Sequence, residues 1–322
     1  MRPLLRAALL AATVLLAGAP AASAAPAPPA GARAAAEPFD VLVFTRTNGY
    51  RHASIPLGVA LLRDLGARHG FRVRTTEEYR DISDAGLADV EVVAFVNTVG
   101  DVLDDLAQDA LRRFVERGGA FFGLHAAADT EHGWPWYREL VGGEFLAHPL
   151  EQLGIYVNEA PLEPATSHLP ARFAVFDEFY SFRLNPRDRV RVLLSIDERT
   201  YLPDPNTTDI PGPGVVPASG RMGDHPMAWC QDLGRGRSFY TALGHEVQLY
   251  ALPWFRRHVL GGVLTAARRL EADCTSPAQR RAAVAAQARR QAAAQRAAAR
   301  RRQAAAERRR RAAARAPRRP AG

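Results

Sequence analysis

The chain has 322 residues and a formal net charge of +8, but the charge is very unevenly placed. Residues 275–322 hold fifteen arginines against one acid, Glu307, and carry +14; residues 1–36 carry +3, so residues 37–274 are left with −9. A basic total ordinarily points to nucleic acid, but here it lies in a low-complexity tail, which excludes a basic folded surface and a specific nucleic-acid partner.

Residues 1–24 have the order of a secretory signal peptide: a short positive start to Arg6, an apolar run from Ala7 to Ala19, and Ala22-Ser23-Ala24 as a small-x-small cleavage pattern. The run is too short to span a bilayer, which needs about 20 residues. The expectation is therefore a secreted or cell-surface protein whose mature chain has no transmembrane segment. Residues 25–36 are an Ala/Pro linker.

From residue 37 the pattern becomes that of an α/β domain. Asp40 to Thr45 is a short apolar run with β-branched residues, the form of a buried strand. Val59, Leu61, Leu62 and Leu65 recur at helical spacing between Ile55 and His69, and Gly70 closes that helix. Phe71 to Thr76 alternates like a strand, and Val92 to Val96 is a fully apolar one. Asp101 is the expected cap of a second helix, lined by Leu103, Leu106, Leu111, Phe114 and Val115 and ended by Gly118-Gly119. Ala120 to Leu124 is a fourth strand.

Strand–helix alternation of this kind predicts a central, mostly parallel sheet covered by helices on both faces. Residues 144–242 read instead as a β-rich insertion, with strand-like runs at Leu153–Val157, Val190–Ile196, Met227–Cys230 and Ser238–Ala242. Pro203 to Gly220 is a Pro/Gly loop, either a lid or an insertion. Phe255, Val259, Leu260, Val263 and Leu264 give a last amphipathic helix, which closes a domain over residues 37–274.

Cys230 and Cys274 are too few for a disulfide scaffold. They can pair in an oxidising compartment, although Cys230 lies in an apolar run and also reads as a buried small hydrophobe. The tail 275–322 reads as disordered or partly helical. It has nothing apolar beyond Ala and Pro after Val284, hence no membrane-lying face. An anionic cell-surface polymer is its expected partner.

In folds of this class ligands bind beyond the carboxyl ends of the strands. The polar clusters fall there: Thr45 to His52, Asn97 to Asp101, and His125 to Thr130. His52, His125, His148, His225 and His245 stand at such ends or in turns, whereas His69, His132, His168 and His258 look like ordinary helix or loop residues. Gly123 to Asp129 has the form of a strand-to-helix elbow, a place where hydrolases hold a nucleophile. Its apex is His125, whose imidazole suits a general base or a metal ligand and is a poor nucleophile for acyl transfer. His125, Asp129, His148, His225 and His245 are all metal-ligand types without local spacing, so a divalent metal stays open. Trp134-Pro135-Trp136-Tyr137 either stacks on a sugar ring or packs at the core edge.

Several segments together resemble the ThuA-like, or trehalose-utilisation, family, which has a flavodoxin-like, class I glutamine amidotransferase-like fold. They are Phe44 to His52, Gly123 to Asp129, Gly143 to Pro149, Asp177 to Tyr180, His225 to Cys230 and Gly236 to His245, in order over nearly all of residues 40–270. The amidotransferase relatives hold a Cys at the elbow where this chain has His125, so glutamine hydrolysis is not expected. Gly244-His245-Glu246 resembles their late histidine segment, which implies that His245 points into the same crevice.

The resemblance implies a small-molecule carbohydrate as ligand. The expected activity is hydrolysis of a sugar or glycoside, with His125, His245 and Asp129 as acid/base or ligand groups. Arg51, His52, Trp134, His148, Glu178, Tyr180 and His225 are expected to line the pocket. The alternative is a non-catalytic carbohydrate-binding or interaction module on an enzyme-like fold.

Overall fold

The computed structural model describes residues 37–202 and 221–314. The expected signal peptide and linker, and the Pro/Gly loop at 203–220, lie outside the described residues. The first half builds β1 (Phe39–Phe44), α1 (Ile55–His69), β2 (Phe71–Thr76), β3 (Val90–Val96), α2 (Asp105–Glu116) and β4 (Ala120–Leu124). After it come α3 (Pro135–Val141), β5 (Phe145–Ala147), β6 (Gln152–Asn158), β7 (Arg172–Asp177), β8 (Ser181–Phe182) and β9 (Arg191–Ile196). The chain continues through β10 (Pro226–Leu233), β11 (Gly236–Thr241), α4 (Pro253–Ala266) and α5 (Pro277–Ala314).

Nine strands form one sheet in the order β2-β1-β3-β4-β11-β10-β9-β6-β7. The first five are parallel to one another, and each later neighbour pairs antiparallel. The parallel half has the order of a flavodoxin-like sheet, 2-1-3-4-5, with β11 as its fifth strand. The β-rich segment therefore extends the same sheet, and among the described residues only β5 and β8 pair apart from it.

Strand alternation places helices on both faces. Phe122 of β4 and Phe239 of β11 stack at 5.8 Å under α4, where a Cβ on Gly262 would come within 2.9 Å of both rings. The adjacent Phe121 turns the other way and meets Tyr137 of α3 at 5.9 Å. Val41, Val43, Phe44, Val92, Val93, Phe95 and Val96 are fully buried, as a strand covered on both faces requires. The loop after β3 is set by Glu131, whose buried carboxylate accepts the N–H groups of Val102 and Leu103 and the side-chain amide of Gln108. Because those two N–H groups are already taken, α2 starts later than expected: Asp104, and not Asp101, caps it by accepting from Ala107 N. No described helix is long and apolar enough to cross a membrane.

Cys230 of β10 and Cys274 are joined by a disulfide, both buried, with Cα atoms 5.2 Å apart. Of the two expectations for the tail, disordered or partly helical, the described residues show helix: α5 runs unbroken for 38 residues. Ser276-Pro277-Ala278-Gln279 starts it as a capping box with proline at the first helical position: Ser276 Oγ accepts from Gln279 N and Gln279 Oε1 from Ser276 N. Its first turn docks on the domain beyond residue 274. Ser276 is buried, Ala278 N donates to Asp188 O, and Arg281 pairs with Asp188 at 2.5 Å.

After Arg281 the side chains described are exposed, and alanine–arginine propensity alone carries the helix. A chain ending at Arg281 should therefore melt within about 1 °C of the full chain, because no buried apolar area is lost. A drop of 5 °C or more would show that the distal helix packs on the domain.

Candidate functional site

Four connections bring their side chains to one place. His52 lies between β1 and α1, His125 directly follows β4, Glu178 directly follows β7, and His245 follows β11. One ligand-type atom of each lies within 4.8 Å of the others; His52, His125 and Glu178 are buried and His245 is half-buried. The rings of His52, His125 and His245 stand edge to face, with centroids 4.9, 5.2 and 5.3 Å apart.

The backbone aims these groups. His125 has φ 48°, in the left-handed region, which costs a non-glycine residue about 1–3 kcal/mol. It is held there at both ends: the Tyr240 hydroxyl donates to its carbonyl at 2.8 Å, and its Nδ1 lies 2.8 Å from Ala242 O. The turn also needs Gly123, where a Cβ would come within 3.0 Å of the Tyr240 ring. Because a carbonyl only accepts, the Nδ1 contact places a proton on His125 Nδ1 and turns Nε2 into the centre.

His125 Nε2 faces Glu178 Oε2 at 3.4 Å, and His245 Nδ1 lies 3.3 Å from the same oxygen. Among the described residues neither nitrogen has a hydrogen-bond partner, and neither does the buried Nδ1 of His52. The other Glu178 oxygen is 2.9 Å from His148 Nδ1, which is also 3.0 Å from Pro149 O. Both contacts are acceptors, so Nδ1 of His148 holds the proton and its Nε2 is free; this side chain is 41% exposed. Burial, then the neighbouring His125 and His245, push His52 down to about 3, so its ring is neutral. Burial disfavours a charged Glu178, but the surrounding imidazoles outweigh it and hold the carboxyl far below its usual range. Burial also opposes charge on His148 and His245, yet Glu178 raises both.

The loop bearing His245 is tied to the segment bearing Glu178. Buried Asp177 accepts the backbone N–H groups of Gly244 and Glu246, each at 2.9 Å, while Ser54 and Tyr250 hydroxyls donate to Gly244 O. Burial raises the Asp177 carboxyl, against the pull of His125 and these N–H groups. Asp177→Asn would leave one of the two N–H groups without an acceptor, at about 1–3 kcal/mol. Melting temperature should fall by a few degrees; an unchanged value would show that Asp177 does not hold the His245 loop.

Of the residues expected from the sequence, His52, His125, His148, Glu178, Tyr180 and His245 meet here; the Tyr180 ring lies 4.3 Å from that of His125. Four others lie elsewhere. Asp129 pairs with His132 Nε2 at 2.7 Å, because the 3-10 turn His125–Asp129 carries it more than a turn past the elbow. Arg51 pairs with Glu77 at 2.5 Å and lines a separate open depression with Thr45 and Arg63. Trp134 is half-buried and packs on Trp136, ring centroids 4.9 Å apart. His225 is buried with both nitrogens engaged, Nδ1 by Glu198 and Tyr201 and Nε2 by Tyr180 O.

Three neighbours of the centre were not singled out from the sequence. Glu151 Oε1 lies 3.4 Å from His245 Nε2, Asp177 anchors the loop, and exposed Tyr50 sets its ring edge-on to His52 at 4.7 Å. The available signal was adjacency: Asp177 precedes Glu178, Glu151 follows His148 by three, and Tyr50 precedes His52 by two.

The family model described as ThuA, trehalose utilisation, matches residues 40–266. A ThuA-like protein of Bacteroides uniformis, 23% identical, superposes with a TM-score of 0.58 over 72% of this chain and 93% of its own. One from Parabacteroides merdae, 17% identical, gives a TM-score of 0.56 over 76% of this chain and 96% of its own. No curated protein sequence matches. The family model spans the strand ends that carry His52, His125, Glu178 and His245, and the chain belongs to the ThuA (trehalose utilisation) family.

Proposed function

We propose that this ThuA-family chain is an exported enzyme that hydrolyses a sugar or glycoside at the histidine–glutamate centre. The observation that carries the reading is the convergence of three imidazoles on Glu178, beyond the carboxyl ends of β1, β4 and β11, where open α/β sheets take their ligands. Hydrolysis needs a base that takes a proton from water. His148 has that form: Glu178 orients its Nδ1–H, and its free Nε2 belongs to a side chain that reaches solvent. Exposed Tyr50 offers an aromatic face at the rim, against which a sugar ring stacks. The family's description points to a disaccharide or glycoside as substrate class. Export is supported by the leader pattern and by the buried Cys230–Cys274 disulfide, a bond that persists in oxidising compartments.

The test is a panel of disaccharides and glycosides offered to the full chain, with released sugar as the readout. Turnover is expected, and His148→Ala should lower kcat by about 10²–10⁴-fold, the usual range for general acid–base catalysis. Saturable sugar binding without turnover across the panel would contradict the reading and favour a binding module. The exposed part of α5 fits an anionic polymer as partner, and the chain ending at Arg281 should lose any polyanion binding that weakens with salt.

A further inference from the structure

Three imidazole nitrogens at the centre are orphaned: His52 Nδ1, His125 Nε2 and His245 Nδ1 are buried and have no hydrogen-bond partner among the described residues. A single unpaired polar atom is an occasional feature of a folded protein, and each carries a desolvation cost. Two of the three, His125 Nε2 and His245 Nδ1, face one carboxylate oxygen, and a ring nitrogen of His52 lies within 4.8 Å of them, the arrangement expected where a cation is shared. The separations decide between the alternatives. A hydrogen bond would bring nitrogen and oxygen to about 2.7–3.2 Å, whereas Glu178 Oε2 stands 3.4 Å from His125 Nε2 and 3.3 Å from His245 Nδ1. Two ligands each about 2.1 Å from a metal lie about 3.4 Å apart at the tetrahedral angle.

The orientation of His125 agrees. Its Nδ1 is committed to Ala242 O on the far side, which leaves Nε2 as the ring nitrogen turned toward the carboxylate. Two outer contacts are of the kind that orient metal ligands: a backbone carbonyl behind His125 and His148 on the second Glu178 oxygen. We infer that His52, His125, His245 and Glu178 bind one divalent first-row transition ion, in a set of three imidazoles and one carboxylate that suits zinc or iron(II) and not calcium or magnesium. The inference shares its residues with the proposed carbohydrate hydrolysis, and it is tested separately from that reaction.

The test uses the full chain, purified without chelator, then stripped and titrated with zinc by calorimetry and with cobalt(II) by visible absorption. One equivalent should bind, and cobalt should give the intense bands of a site of four or five ligands with nitrogen donors. Glu178→Gln and His245→Asn should each weaken uptake at least about 100-fold while keeping the far-ultraviolet circular dichroism of the parent; His245 is half-buried, so its variant guards against misfolding. Arg51→Ala, at the separate depression, should bind as the parent does. Failure of the stripped parent to take up either metal, while it still turns over carbohydrate, would overturn the site and leave the reaction standing. Uptake without turnover on any carbohydrate supports the site and removes the reaction.

Discussion

On the proposed carbohydrate hydrolysis, replacing Glu178 by glutamine is expected to lower turnover by about 10²–10⁴-fold, with little change in melting temperature. The carboxylate is the group on which the site converges: His125 and His245 approach one oxygen, and His148 Nδ1 lies 2.9 Å from the other. Glutamine keeps the shape, and its amide can donate to a bare imidazole nitrogen, so the fold tolerates it. It cannot supply the negative charge that orients His148. His125→Ala should cost a similar factor. The double variant should be hardly worse than either single one, because groups that act as a unit are not additive. Turnover within threefold of the parent in Glu178→Gln would show that the chemistry lies elsewhere.

Loss of the Cys230–Cys274 bond is expected to cost about 4 kcal/mol. The two cysteines are 44 residues apart, and cross-linking a loop of that length removes about that much chain entropy from the unfolded state. For a domain of this size the loss corresponds to a fall on the order of 10 °C in melting temperature. Cys274→Ala is the cleaner variant, because it frees the segment after α4 while leaving β10 intact. Thermal melts of parent and variant, with and without reductant, give the measurement: the parent should fall to the variant's temperature under reduction, and the variant should not respond. A fall of less than about 2 °C in both would mean that packing, and not the cross-link, holds this segment to β10.

The sequence made the parallel half of the sheet legible because its strands are buried on both faces. Runs such as Val92 to Val96 have no polar alternation to confuse them with surface strands. The same logic located the site, since polar residues directly after such runs must lie beyond the sheet's end. His52, His125 and His245 were found this way, and Glu178 through the family's Asp177-to-Tyr180 segment. What was not legible depends on partners distant in sequence or on local turn geometry. His225 directly precedes β10, whose start lies beside the end of antiparallel β11, but Glu198 and Tyr201 engage it in a buried network. Asp129 shares the elbow with His125, yet the tight 3-10 turn swings it to His132.

The cap of α2 turned on Glu131, whose claim on the N–H groups of Val102 and Leu103 moves the helix start to Asp104. Antiparallel strands in residues 144–242 were visible as strands, but their pattern does not say whether they extend the main sheet or form another. The start of α5 was readable in Ser276-Pro277-Ala278-Gln279, a capping box hidden by the monotony of the residues after it.

The central claim is that His52, His125, Glu178 and His245 form one cation-binding centre in which carbohydrate chemistry takes place. The most direct measurement is an anomalous-scattering map at the zinc edge, from crystals of stripped protein reloaded with one equivalent of zinc. The account predicts one strong peak about 2.0–2.2 Å from His125 Nε2, His245 Nδ1 and Glu178 Oε2, with His52 completing the set. A peak only at another surface, or a centre that holds water and direct hydrogen bonds between the imidazoles and Glu178, would contradict it.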